Sequence, residues 1–225
     1  MRYMIHAYPG RLWYVEGYLV PKLKSLGIRA KDIAVWNDAE GRGNLLSCVE
    51  AFAWCGSHKI KDGTWHLQDD VIPCRDFAAK TKDADGVVCG FKGDNLKGSR
   101  RSRLGAWNAG GTVKPADMWW SFQCIHIPDD LAGECALWFY RKGVREDACR
   151  SYVMNGNGDD VAFKTFLLRE HSDMDIRNVS PNLVNHIAEL IGGSSVQPGY
   201  WFRSAAFDDC GEWEEAANWI EQNRG

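Results

Sequence analysis

The chain has 225 residues and a mass of 25.4 kDa, which suits one α/β domain built on one sizeable core. Its 27 basic residues nearly balance 30 acidic ones, which excludes a histone-like tail, an acidic solvating tail and a wholly basic nucleic-acid coat. Hydrophobic residues make up 45% of the chain, as in ordinary globular proteins, but the 11 tryptophans are an excess, and indole rings serve both cores and stacking platforms.

In chain order, residues 3–7 read as a first strand, and Pro9-Gly10 turns the chain into an amphipathic helix that Gly27 ends. Residues 32–36 form a second strand, 37–43 a polar loop, and 44–55 carry apolar residues at helical spacing. A strand over 63–67 runs into Gln68-Asp69-Asp70, with a helix expected over 73–82 and a buried strand over 86–91. Residues 92–117 are glycine-rich without hydrophobic period, a long loop of the kind that carries function. A strand over 119–127 closes at Pro128 and leads to a helix whose first turn holds Asp129 and Asp130, where acidic charge suits the helix dipole. Asn155-Gly156-Asn157-Gly158 leads into Asp159-Asp160 and a helix through Glu170; residues 176–191 give a short strand, Pro181 and an apolar stretch around His186. An acidic helix follows Gly211. This alternation predicts a single α/β domain with a mixed, mostly parallel sheet flanked by helices.

No stretch reaches the roughly 20 uncharged apolar residues that span a bilayer. The opening Met-Arg-Tyr-Met-Ile-His is too short an apolar run for a signal peptide, so a cytoplasmic location is expected. Eight scattered cysteines with no CxxC spacing read as reduced, small hydrophobes.

The chemistry centres on Thr64 to Asp70. Two adjacent carboxylates, Asp69 and Asp70, end an apolar strand where open α/β sheets bind their ligands. Such a pair repels itself unless a cation is shared, and hard oxygen donors with open positions suit Mg²⁺ or Mn²⁺ bridging the phosphates of a nucleotide. The same pair also suits a turn that caps the next helix. The layout of strand, Tyr8-Pro9-Gly10-Arg11 and helix is that of a nucleotide-facing first turn. It lacks GxGxxG and GxxxxGK[ST], which disfavours a Rossmann dehydrogenase and a P-loop NTPase. At the end of the second strand Trp36 could pack a base and Asp38 accept ribose hydroxyls, or Asn37 and Asp38 could make an Asx turn.

A strand ending in Gln68-Asp69-Asp70, on a chain that begins strand, Pro-Gly, helix, resembles a glycosyltransferase of the GT-A fold, whose DxD-type motif holds a divalent cation on the diphosphate of a nucleotide sugar. Gly158-Asp159-Asp160-Val161-Ala162-Phe163 is similar to that family's acidic helix start, which presents a catalytic base to the acceptor. Pro181-Asn182-Leu183-Val184-Asn185-His186-Ile187, followed by Gly192-Gly193-Ser194-Ser195, is similar to the segment in which a histidine completes the metal site. Gln68 stands where the strict motif has its first acid, so Asp70 is the metal ligand the resemblance implies, with His186, while Asp69 touches ribose or a metal-bound water. It further implies Asp160, or else Asp159, as general base, Arg11 beside the leaving diphosphate, and a UDP-sugar as the favoured donor. Residues 1–91 would then form the nucleotide-sugar-binding half, 92–117 a basic loop, 118–195 the acceptor and catalytic half, and 196–225 a C-terminal arm and helix.

For the acceptor, residues 92 to 114 hold Lys92, Lys97, Arg100, Arg101, Arg103 and Lys114 against Asp94 alone, a net of +5 that leaves −8 on the rest of the chain. Such a cluster suits a phosphate backbone, with Trp107, Trp119 and Trp120 as stacking platforms. A solvated loop or a clamp on the donor diphosphate would share the same composition. A DNA acceptor would have to offer an alcohol, which points to a 5-hydroxymethylpyrimidine of the kind glucosylated by bacteriophage enzymes, in a bacterial or phage-infected cell, with the base flipped from the stack. The other readings are a saccharide acceptor in surface-polysaccharide synthesis, a metal-dependent nucleotidyltransferase and a non-catalytic nucleic-acid-binding module. Trp13, Trp54 and Trp138 lie on helical apolar faces and are expected in the core.

Overall fold

Residues apolar on both sides of the chain make β1 (Arg2–Ala7) an interior strand: Tyr3, Ile5 and Ala7 enter one core and Met4 the other. It pairs in parallel with β2 (Ile33–Asn37) and with β3 (Thr64–Gln68). The computed structural model describes residues 1–91, 110–117, 122–143, 158–191, 207 and 209–224. Within them lie β4 (Val71–Pro73), β5 (Val87–Cys89), β6 (Gly111–Val113), β7 (Cys124–Ile127), β8 (Ile176–Asn178) and β9 (Val184–His186).

The main sheet has seven strands in the order β2-β1-β3-β7-β5-β8-β6. β7 runs antiparallel to both its neighbours and β6 antiparallel to β8, so five of the seven strands share one direction and the expected mixed, mostly parallel sheet is present. β4 and β9 form a separate antiparallel pair. Helices cover both faces. On one side lie the helical run α1 (12–25), the short α3 (Phe77–Thr81) and the C-terminal α6 (Glu212–Asn223), packed through Tyr14, Leu19, Phe77 and Ile220. On the other side α2 (Asn44–Ser57), α4 (Asp129–Arg141) and α5 (Asp159–Glu170) bury Phe52, Phe139, Phe163 and Phe166.

The chain thus leaves β1 through α1 on one face and returns from β2 to β3 through α2 on the other. These two helices lie on opposite faces, and the rule for open α/β sheets puts the ligand crevice outside the carboxyl ends of β1 and β3, which lie side by side.

Several elements differ from expectation for local reasons. The helix over 73–82 shrinks to Phe77–Thr81 because residues 71–73 are held extended by pairing with β9, and Cys74 N–H donates to Leu183 O at 2.9 Å. The strand over 119–127 is formed from Cys124 to Ile127, after a turn at Phe122 and Gln123. Of the tryptophans expected in the core, Trp138 is buried, whereas Trp13 is half-buried against Trp219, and Trp54, also half-buried, stacks on His58 and carries the Arg2 guanidinium at 4.6 Å. The seven cysteines among the described residues form no disulfide, and six are buried. No helix among the described residues is long and apolar enough to cross a membrane.

α2 and α4 touch at a glycine on each. A Cβ on Gly56 would lie 2.5 Å from Gly133 Cα, closer than atoms can approach. Gly56→Ala is expected to lower the unfolding free energy by about 1–3 kcal/mol, the usual cost of overpacking, in urea denaturation; an unchanged midpoint would show that the helices can part without loss.

Candidate active site

The crevice between β1 and β3 holds a cluster of charges. Asp69 and Asp70 follow β3 directly, and each is only 5% exposed. Buried carboxylates need partners, and these come from the first turn after β1. The Tyr8 backbone N–H donates to Asp69 Oδ2 at 2.6 Å. The 3₁₀ turn Pro9–Arg11, closed by Arg11 N–H on Tyr8 O, then turns the Arg11 side chain inward. Arg11 Nη1 donates to Asp69 Oδ1 at 2.7 Å and to Asp70 Oδ2 at 2.8 Å. The cation shared by the two acids is therefore a guanidinium, itself only 7% exposed.

His186 reaches the same carboxylate from a distant part of the chain. Val71 is in register with His186 across the β4–β9 pair, and Ile187 N–H donates to Asp70 O at 2.8 Å. This brings His186 Nε2 to 3.1 Å from Asp70 Oδ2. The other oxygen, Asp70 Oδ1, is buried without a hydrogen-bond partner.

The second acidic pair arrives from the opposite side. Gly158, at φ 89° in the left-handed region that glycine favours, turns the chain into α5, and Asp159 at its first position is hydrogen-bonded to the Gln68 side chain, close enough to feel the charge of Asp70. Gln68 thus joins the two acidic motifs. Asp160 follows, with the Val161 N–H donating to its Oδ1 at 2.8 Å.

Charge in this cluster is lopsided: four carboxylates face Arg11 and His186, with Lys164 of α5 acting on Asp160. Burial would raise Asp70, but the neighbouring His186 and Arg11 hold it below the usual carboxylate range. Asp69 goes the other way, to about 6, driven by burial and then by Asp70, against Arg11 and the Tyr8 N–H. Burial also raises Asp159 to about 6, and burial with the Asp159 charge raises Asp160 to about 7.

Behind Gln68, on the α2 face of the sheet, His6 Nε2 and His66 Nδ1 lie 2.9 Å apart on neighbouring strands. Burial pushes His6 down to about 4 and His66 well below its ordinary value, so the pair is neutral at physiological pH. Neither histidine was singled out from the sequence. The available signal was that each is a polar residue inside a strand, His6 in an otherwise apolar run and His66 in a strictly alternating one.

The remaining candidate residues are spread around the crevice. Tyr8 is 51% exposed, and its ring leaves only 3.0 Å for a Cβ on Gly10; Pro9 and Gly10 are exposed beside it. Trp36 is half-buried in a tilted contact with Trp54 at 6.2 Å. Asp38 builds its own loop, with its two oxygens accepting the N–H groups of Arg42 and Gly43, both at 2.8 Å. Lys114 donates to Asp173 O at 2.6 Å and to Asp175 Oδ1 at 2.8 Å, so one of the six basic residues counted for the loop is paired within the fold. Arg100, Arg101, Arg103, Trp107, Trp119 and Trp120 lie outside the described residues, as do Gly192, Gly193, Ser194 and Ser195. A separate groove of about 460 Å³ opens between α2 and α4, with exposed Leu137 and Tyr140 on its wall.

No protein-family model and no curated protein sequence matches the chain. Among solved structures it is similar to a galactosyltransferase, LgtC, determined in complex with donor and acceptor sugar analogs, at 11% identity and a TM-score of 0.43, over 100% of this chain and 97% of that one. The functional assignment therefore stands on the side chains of the site.

A carboxyl group that is easier to protonate in the fold than in the open chain weakens the fold as it loses its proton. Between its ordinary 3.8 and about 7, folded Asp160 keeps a proton that the unfolded chain gives up, so stability falls as pH rises through this window. Asp160→Asn is expected to exceed the wild type by about 1–3 kcal/mol at pH 8 and to match it at pH 4 in chemical denaturation; equal stability at both pH values would mean that Asp160 is not under strain.

Proposed function

We propose that this chain is a GT-A-type glycosyltransferase that moves a sugar from a nucleotide-sugar donor, a UDP-sugar being favoured, to an acceptor hydroxyl with the help of Mn²⁺ or Mg²⁺. One observation carries the reading: Asp70 stands at the topological switch point with His186 on one side and, across Gln68, Asp159 on the other. Three short motifs, scattered over more than a hundred residues, meet at one carboxylate.

The donor set suits a hard divalent ion. Asp70 Oδ1 is a buried carboxylate oxygen with no hydrogen-bond partner, and the His186 imidazole stands beside the same group. No three His, Cys, Asp or Glu side chains converge as a metal cage among the described residues. That arrangement fits an ion that takes most of its ligands from water and substrate phosphates. When bound, such an ion would neutralise the charge gained by the departing diphosphate.

The chain's own groups supply the rest. Asp69 holds the turn that carries Tyr8 and Arg11, and the exposed Tyr8 ring offers a flat surface to a nucleobase at the rim of the crevice. Asp160, or else Asp159, takes the proton of the attacking hydroxyl; a carboxylate raised toward neutrality is a better base than one at its ordinary value and is still ionised above about pH 7. The His6–His66 pair stays neutral and fills the space behind Gln68 without adding charge.

For the acceptor we favour a 5-hydroxymethylpyrimidine of DNA, because the Arg100, Arg101 and Arg103 cluster and the neighbouring tryptophans suit a nucleic-acid backbone. A nucleotidyltransferase would use the same acids but consume a nucleoside triphosphate.

Incubation with UDP- and GDP-sugars and Mn²⁺ is expected to release nucleoside diphosphate, faster with hydroxymethylcytosine DNA than with unmodified DNA or saccharides. Asp160→Asn should lower kcat by about 10²–10⁴-fold, the usual share of a general base, and Asp70→Asn should abolish the Mn²⁺ dependence. Absence of turnover with every nucleotide sugar, alongside turnover of a nucleoside triphosphate, would replace this reading with the nucleotidyltransferase.

A further inference from the structure

Arg11 occupies the ground between the two carboxylates that a donor-bound cation would have to approach. A single nitrogen, Nη1, bridges Asp69 Oδ1 and Asp70 Oδ2, while Asp70 Oδ1 beside it has no hydrogen-bond partner. We propose that Arg11 is an exchangeable counter-ion: it neutralises the acidic pair in the empty site, yields that place to the divalent cation, and moves onto the donor diphosphate, so that cation and diphosphate each strengthen the other's binding. This rests on the donor site proposed above and adds the order and coupling of its ligands.

The argument is one of charge. A divalent ion on Asp70 would stand within a few ångströms of the guanidinium, where like charges repel in a poorly solvated crevice. Taken alone, the ion must displace two charge-assisted hydrogen bonds. A diphosphate taken alone would meet Asp69, Asp70, Asp159 and Asp160, offset among the described residues by Arg11 and His186 at the first pair and by Lys164 at Asp160. Together the two ligands satisfy every party: the ion replaces the guanidinium at the acids, and the freed guanidinium, with its fork of N–H donors, meets phosphate oxygens. The side chain is placed for this move. It leaves a short 3₁₀ turn whose other residues, Pro9 and Gly10, are exposed. Because coupling is reciprocal, UDP must tighten Mn²⁺ by the same factor as Mn²⁺ tightens UDP.

The test is Mn²⁺ binding measured by electron paramagnetic resonance of the free ion, with and without UDP and corrected for the Mn²⁺–UDP complex in solution. It would be run on the wild type, Arg11→Gln and Arg11→Lys, each checked for folding by circular dichroism. The wild type is expected to bind Mn²⁺ weakly alone and at least about tenfold more tightly with UDP, within the usual range of coupling. Arg11→Gln should bind Mn²⁺ alone about tenfold more tightly than the wild type and respond to UDP less than threefold. Arg11→Lys, which keeps the charge but not the fork, should fall between them, and it decides the matter if the glutamine variant does not fold. Equal Mn²⁺ affinity in wild type and variants, or an unchanged response to UDP, would overturn the exchange while leaving the donor site standing. No Mn²⁺ binding by any of the three proteins, with UDP or GDP present, would remove the donor site itself and the exchange with it.

Discussion

Two carboxylates that follow one another in a chain, both taken out of water, need a positive charge between them, and much of this molecule is arranged around that need. Asp69 and Asp70 cannot turn away from each other without leaving the end of β3, and the only cation near enough to bridge both among the described residues is Arg11. The short turn after β1, the parallel pairing of β1 with β3, and the extension of the chain into β4 all follow the same geometry. An ion pair in such a place is a poor source of stability, since desolvation offsets most of the attraction. In the proposed reaction the same charges would meet the cation and diphosphate of the donor.

The fold brings the other groups in by separate routes. A ladder of three residues, β4 against β9, carries His186 to Asp70, and a glycine turn delivers Asp159 to Gln68. Neither connection is extensive, yet each starts from a strand or helix locked into a core, so the side chains are positioned by rigid elements rather than by their own contacts. Burial, and after it the charge of neighbouring acids, keeps three of the four carboxylates easier to protonate than in the open chain. Strain of this kind is common where a site must bind cations or take up protons.

Much of this was legible in the sequence. Pro9-Gly10 after an apolar strand marked the first turn, Gln68-Asp69-Asp70 marked the end of the central strand, and Gly158-Asp159-Asp160 marked the start of a helix, because each signal is local and chemical. The alternation of elements likewise anticipated the mixed sheet. What the sequence hid were contacts between residues far apart. Arg11 lies 58 residues from Asp69, and nothing in either neighbourhood says that the cation shared by the acids is an arginine. Three residues of β4 carry no strand signature of their own; their apolar pattern reads equally as the start of a helix, and only the partner strand decides. The histidine pair was hidden for the opposite reason, since an alternating strand gives no sign of what faces a given position on the next strand.

The packing of α6 against α1 bears on how the molecule is made. Trp219 lies flat on Trp13 with ring centres 5.8 Å apart and fills the space over Gly17, where a Cβ would come within 2.8 Å of the indole. Gly17 sits in the π-helical turn Val15–Leu19, six residues from Arg11, so the helix that follows the bridging cation is buttressed by residues some two hundred positions later in the chain. A chain that stopped short of residue 219 would leave the Trp13, Tyr14 and Tyr18 rings without this contact.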